Sequence, residues 1–269
     1  MNNKHTAVFW VLGLIGVFVI LSGGYYFMKA TPIGDVSGIA SSTTTTYNDT
    51  PSSITDLGEF YDIQARYPVE TLLRTSVGQE LDTAATDSMR GFVENTIQRF
   101  KESGEFETLT PRDIEIRGLD ERMYVLSISY TMSLSPKTVS YIFTMYEDTL
   151  GAHGNTYFRT FTFDLATGEP LSLSDLFIPS ANYLERISEV TRKDLPVILS
   201  LKAGAPADKD MITSGTIPES DSFQNFAIDG DTLQIMFPPY QVAAYVFGSV
   251  INPIPLSTLS DILKPVYIP

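Results

Sequence analysis

The chain has 269 residues, no cysteine, and 18 basic against 32 acidic residues, a formal net charge of −14. Without cysteine there is neither a disulfide framework nor a lipobox, so the fold must rest on a packed core. The acidic excess disfavours nucleic acid and anionic lipid surfaces as ligands and would steer a cationic protein or peptide inward, or simply keep an exposed domain soluble.

No charged residue lies between His5 and Lys29, and residues 8–21 are almost wholly aliphatic or aromatic. A bilayer crossing needs ~20 apolar residues, so residues 7–28 read as a transmembrane helix. A signal peptide is the rival reading, but its apolar core runs only ~7 to 15 residues, whereas this one continues through Tyr25, Tyr26 and Phe27, residue types suited to the membrane–water boundary. Lys4 with the terminal amine, and no acid, sets the short amino end in the cytoplasm and everything after Lys29 outside. With Lys4 and Lys29 assigned to the anchor, the rest carries 16 basic and 32 acidic residues, a net of −16. The expected organisation is an anchor at 1–29, a linker at 30–56, an amino-terminal half at 57–178 and a carboxyl-terminal half at 179–269.

The linker is rich in Ser, Thr, Gly and Pro, and residues 41–46 are an unbroken hydroxyl run. As a random coil of ~24 residues it would reach about 25 to 30 Å. From Tyr61 to Tyr67 apolar and polar residues alternate, a half-buried strand that Pro68 ends. Met89, Phe92, Val93, Ile97 and Phe100 recur at helical spacing, opposite Arg90, Glu94, Gln98 and Lys101, and Gly104 stops that helix. Tyr124, Leu126, Ile128, Tyr130, Met132 and Leu134 alternate with hydroxyl residues, the pattern of a strand in a sheet covered on one side. Strands around Val139–Met145 and Phe161–Leu165 follow, separated by the turn Gly151-Ala152-His153-Gly154-Asn155, and together read as an antiparallel meander. A tight turn at 166–169 leads to a short helical turn capped by Ser174.

A second helix is expected over 181–194, with Leu184, Ile187 and Val190 inward and Pro196 forcing a break or kink. Residues 202–222 read as a long surface loop with one helical turn near 208–212. Asp229-Gly230 marks a hairpin between Phe226-Ala227-Ile228 and a strand through Leu233, Ile235 and Phe237. Val250, Ile251 and Ile254 form a last edge strand, and Ser257 caps a final turn. The fold class is α+β: antiparallel sheets with packed helices, a two-part ectodomain behind one N-terminal transmembrane helix.

Gly151-Ala152-His153-Gly154, Phe163-Asp164-Leu165-Ala166-Thr167-Gly168 and Leu173-Ser174-Asp175-Leu176-Phe177 resemble, in order and spacing, the signature of a bacterial extracellular domain family of the RsiV-like and PdaC type. Phe226-Ala227-Ile228, the run 235–243, Gly248 and the run 254–259 resemble its carboxyl half. The resemblance covers about Phe60 to Leu263. It implies an α+β sensor or binding domain outside the membrane, one type of which binds lysozyme. About six residues precede the anchor and no second domain with His and Asp metal ligands follows, so the expectation is a recognition module on a tether without an output domain.

His153 is the one imidazole beyond the anchor. Zinc sites take three or four His, Cys or carboxylate ligands, and no Gly-x-Ser-x-Gly elbow is present, so no catalytic residue, metal or cofactor is assigned. Asp164 and Asp175 sit beside turns, where a carboxylate bonds local backbone. His153, Tyr240 and Tyr245 are the ligand-contact candidates, the tyrosines offering flat amphipathic surface beside a proline-fixed turn; their structural reading is turn and core packing. Trp10 lies in the anchor, which leaves the ectodomain no tryptophan for stacking on sugars. The expected function is non-enzymatic recognition of a cell-envelope glycan such as peptidoglycan, or of a protein such as lysozyme, at the cell membrane. The alternative is an envelope peptidoglycan-acting hydrolase using His153 and neighbouring acids.

Overall fold

The computed structural model describes residues 51–203 and 208–269. The apolar run at 7–28 lies outside them, and among the described residues no helix is long and apolar enough to cross a membrane. β1 (Pro51–Leu57) pairs antiparallel with β2 (Tyr61–Pro68). The ladder therefore starts inside the stretch whose Ser/Thr composition reads as linker. That composition is also compatible with a β-edge, and β2 supplies the partner that composition cannot show.

Three helices follow: α1 (Leu73–Ser76), α2 (Gln79–Gly104) and α3 (Pro111–Arg117). α2 keeps the expected period, with Met89, Val93 and Phe100 buried on one stripe. Its approach is fixed by Asp82, whose buried carboxylate accepts the Thr71 backbone N–H at 2.6 Å and the Thr71 hydroxyl at 2.7 Å. The three helices form the crossover to β3 (Tyr124–Leu134), which lies parallel to β2 with Tyr61 opposite Tyr124 and Ala65 opposite Ile128. A parallel pair requires a connection of this length, so the sheet as a whole is mixed rather than antiparallel throughout, while the expected antiparallel meander holds from β3 onward. Antiparallel pairing resumes through β4 (Thr138–Asp148), β5 (Asn155–Asp164) and the two-residue β6 (Pro170–Leu171), and the sheet order is β1-β2-β3-β4-β5-β6. One face carries Ile63, Leu126, Ile128, Val139, Tyr141, Phe143 and Met145 against α2.

In the carboxyl-terminal part α4 (Tyr183–Ala203) continues past Pro196, where the sequence reads as a break or kink, so the helix is not broken there. The buried Ile187, Leu195 and Leu199 lie on both sides of the proline, so packing holds the helix across a residue that costs it ~3 kcal/mol in isolation. α5 (Lys209–Gly215) is capped by the Asp208 carboxylate, which accepts the N–H groups of Asp210 and Met211. A three-stranded antiparallel sheet, β7 (Phe226–Asp229), β8 (Thr232–Phe237) and β9 (Val250–Pro255), completes the fold, with the expected hairpin closing at Asp229 opposite Thr232. Leu233, Ile235, Phe237 and Ile254 join the α4 residues in a second core. The short turn at Leu173–Leu176 is capped by Ser172 with Asp175, not by Ser174.

The hydroxyl face of the larger sheet, read from sequence as solvent-facing, is covered in its middle. Ile142 and Phe158 pack against Ala227 and Met236 of the smaller sheet. The Ser140 hydroxyl accepts the Ile228 N–H and the Thr160 hydroxyl accepts the Phe226 N–H, each at 3.2 Å. Side-chain oxygens thus satisfy edge donors of β7 that would otherwise be buried without partners.

Candidate functional site

Where the smaller sheet meets the β4–β5 turn, the three residues singled out from sequence come together. Asp148 starts that turn by accepting the Leu150 N–H at 2.8 Å. At its far end Gly154 is buried under Tyr146, and a Cβ there would sit 2.3 Å from the Tyr146 hydroxyl, closer than real side chains approach. Burial pushes the Tyr146 phenol upward, and the Asp148 charge adds to it. The absence of a side chain at Gly154 leaves room for the Tyr146 ring.

The Gly154 carbonyl is shared. The Tyr245 hydroxyl donates to Gly154 O at 2.8 Å, and His153 Nδ1 lies 3.0 Å from the same oxygen. A carbonyl only accepts, so Nδ1 carries the proton, and in the neutral ring Nε2 is left as the acceptor for the Tyr240 hydroxyl at 2.9 Å. The His153 ring stacks on Tyr245 with centroids 3.7 Å apart and planes 17° from parallel, and Tyr240 lies 5.9 Å from the imidazole and 5.6 Å from Tyr245.

Tyr240 reaches this position through a strained turn. Its φ of 70° is in the left-handed region, sparsely populated for a bulky residue. The Tyr240 N–H donates to Ala243 O, and the Gln241 N–H donates to Pro238 O. Val242 and Ala243 are buried, and the Gln241 amide donates to the carbonyls of Gly215 and Ser222, each at 2.9 Å. Gly215 is required by closeness: a Cβ there would fall 1.9 Å from Gln241 O. The anchored neighbours leave Tyr240 54% exposed and His153 exposed beside it. The arrangement is a surface stack of three rings with both imidazole nitrogens engaged.

The other candidates are structural. Asp164 accepts the N–H groups of Ala166 and Thr167 and the hydroxyl of Tyr267. The Ser172 hydroxyl, and then its N–H, hold the Asp175 carboxyl below the usual carboxylate range. Among the described residues no three His, Cys, Asp or Glu side chains converge as metal ligands. A cleft around Arg159 on β5 has no mark in the sequence, since one arginine in a strand has no distinguishing spacing.

Residues 174–257 match the family model described as "Protein of unknown function (DUF3298)". Over 264 residues the chain is 28% identical to the peptidoglycan-N-acetylmuramic acid deacetylase PdaC of Bacillus subtilis, an alignment covering 97% of this chain and 50% of that protein. It is 26% identical over 122 residues to an esterase of Mycobacterium tuberculosis, covering 45% of this chain and 51% of the esterase. The chain thus spans about half the length of the curated relatives it matches. Crystal structures of DUF3298 family proteins from Bacteroides fragilis and Pseudomonas aeruginosa superpose with TM-scores of 0.54 and 0.51 at 17% and 16% identity. They cover 81% and 82% of this chain, and 94% and 95% of their own, and share the fold. The resemblance read from the glycine, histidine and tyrosine motifs is borne out.

Proposed function

Starting from a chain similar to PdaC whose residues 174–257 match the DUF3298 family model, we propose that the protein is a recognition module without chemistry of its own. It is held outside the cell membrane by the span at 7–28 and binds a cell-envelope glycan or a protein such as lysozyme. The observation that carries this reading is the exposed stack of His153, Tyr245 and Tyr240. Two tyrosines fixed by buried neighbours present broad amphipathic area with little side-chain freedom left to lose on binding. The acidic surface adds steering toward a cationic partner such as lysozyme.

The test is binding of the full-length chain, solubilised in detergent, to lysozyme and to peptidoglycan fragments. Tyr240→Ala and Tyr245→Ala are expected to weaken the bound complex by about tenfold or more while the circular dichroism spectrum is kept. Binding to neither material would overturn the proposal. Protease treatment of intact cells should remove the domain after residue 30; its survival on intact cells and loss on lysis would refute the external placement.

A second reading, an envelope hydrolase, is favoured by the deacetylase and esterase names of the relatives. His153 would be its base, but both ring nitrogens are occupied, and Tyr240 would have to leave Nε2 before it accepted a proton. Peptidoglycan turnover that disappears in His153→Ala would favour this second reading.

A further inference from the structure

The larger sheet has an open edge along β5. At the end of that strand the Leu165 N–H donates to Lys137 O on the β4 side, and the Asp164 N–H donates to Glu169 O on the β6 side. Backbone direction alternates along a strand, so the N–H and C=O groups of Thr162, Thr160 and Phe158 all point away from β4. β6 pairs only with Thr162 and Phe163 before the chain turns away into the helical turn after Ser172. Among the described residues no backbone group takes up the outward N–H and C=O of Thr160 or Phe158. A row of open groups of this kind is a template for one more strand.

Cavities of about 490 and 280 Å³ open on the two sides of that edge, and Arg159 and Thr160 line both. Side chains alternate as the backbone does: Thr160, opposite Ile142, faces the smaller sheet, whereas Arg159 and Phe161, opposite Phe143 and Tyr141, face α2. A strand laid along the edge therefore sends successive side chains into the two cavities in turn, which is how strand addition reads sequence. The cavity on the α2 side is walled by Leu81, Ala84, Phe161 and Phe163 and suits an apolar side chain. The cavity on the other side holds Asp175 and Asp221. Arg159 is the one cation lining either cavity, against Asp175, Asp221 and Glu169, and none of these three carboxylates forms an ion pair with a described lysine or arginine. Charge then selects the occupant. Residues 30–57, β1 included, contain no lysine or arginine, so neither that stretch of the same chain nor the β1 edge of a second copy supplies the missing cation.

We infer that the edge of β5 binds an extended segment of a partner protein in which lysine or arginine alternates with apolar residues, the cation entering beside Asp221 and the apolar side chain beside Ala84. This goes beyond the recognition reading and uses a surface other than the Tyr240 stack. The test is fluorescence polarisation of the labelled heptapeptide Thr-Val-Lys-Val-Lys-Val-Thr titrated with the full-length chain in detergent. The peptide should bind, and exchanging both lysines for glutamate should weaken it about tenfold or more. N-methylation of one alternate set of its peptide nitrogens should abolish binding, whereas methylation of the other set, which faces away from β5, should leave it within about threefold. Asp221→Asn should shrink the preference for lysine over glutamate, Ala84→Trp should weaken binding by filling the apolar cavity, and Tyr240→Ala should bind the peptide as the parent does. The inference is overturned if the peptide fails to bind at millimolar concentration, if the two methylated sets behave alike, or if Asp221→Asn leaves the lysine preference unchanged. A dimer in sedimentation that the peptide does not dissociate would give the edge to a second copy and overturn it as well.

Discussion

The two halves of the molecule are built by different means. In the amino-terminal half, strands of 10 and 11 residues carry aromatic rings that pack on one another: Phe92 meets Phe143 and Phe161 edge-on, and Tyr130 lies against Tyr141 and Phe143. In the carboxyl-terminal half the strands have four to six residues, 3₁₀ turns join them, and buried rings such as Phe247 and Phe226 sit among aliphatic side chains. A long ladder gives stiffness but few places for a side chain to stand clear. The short-stranded half has turns to spare, and it supplies Tyr240 and Tyr245, while the ladder contributes His153 from a single tight connection.

The comparison breaks if the two cores respond alike. Phe143→Ala, which removes a ring touching three others, should cost ~3–5 kcal/mol in urea denaturation, whereas Ile254→Val in the other core should cost only ~0.5–1.5. Gly215→Ala forces its methyl into the Gln241 carbonyl and should cost about 2 kcal/mol or more. It should also perturb the His153 and Tyr240 resonances, because the same turn carries Tyr240. At the junction, Ser140→Ala leaves the buried Ile228 N–H without an acceptor and should cost ~1–3 kcal/mol, read as a lower urea midpoint at unchanged slope.

A smaller effect appears at high pH. Burial, and next the Asp164 charge, push the Tyr267 phenol up to about 12. A raised folded-state value means that the contribution is complete below the unfolded value near 10 and is lost as pH rises through about 12. Tyr267→Phe should flatten the fall in stability across that window. The smallest expected change is Tyr240→Phe, which removes only the bond to an exposed imidazole. It should leave stability within ~0.5 kcal/mol while shifting the His153 ¹⁵N signals away from a single Nδ1–H tautomer.

The elements with strong periodicity were readable from sequence. The stripe through Met89, Val93 and Phe100, the alternation from Tyr124 to Leu134 and the Asp229-Gly230 hairpin each express a local rule that tertiary structure obeys. What escaped was non-local. Alternation is the same whether a strand's neighbour runs with or against it, so the parallel pairing of β2 and β3 left no trace. Ser140 and Thr160 look like solvent-facing hydroxyls until the smaller sheet is laid over them, and the stability of a helix through Pro196 depends on residues far along the chain. His153, Tyr240 and Tyr245 stand out as candidates because a glycine-rich turn holds the first and a proline-fixed turn precedes the other two, and the structure brings the three rings together. The cavities around Arg159 left no such mark, since they are bounded by residues far apart in the chain.

The left-handed backbone at Tyr240 has a consequence for any attempt to make the protein hardier. Glycine would occupy that φ without steric conflict, so a screen that rewards thermal endurance alone should drift toward Tyr240→Gly. The variant that survives heating best would then be the one with the bald contact face.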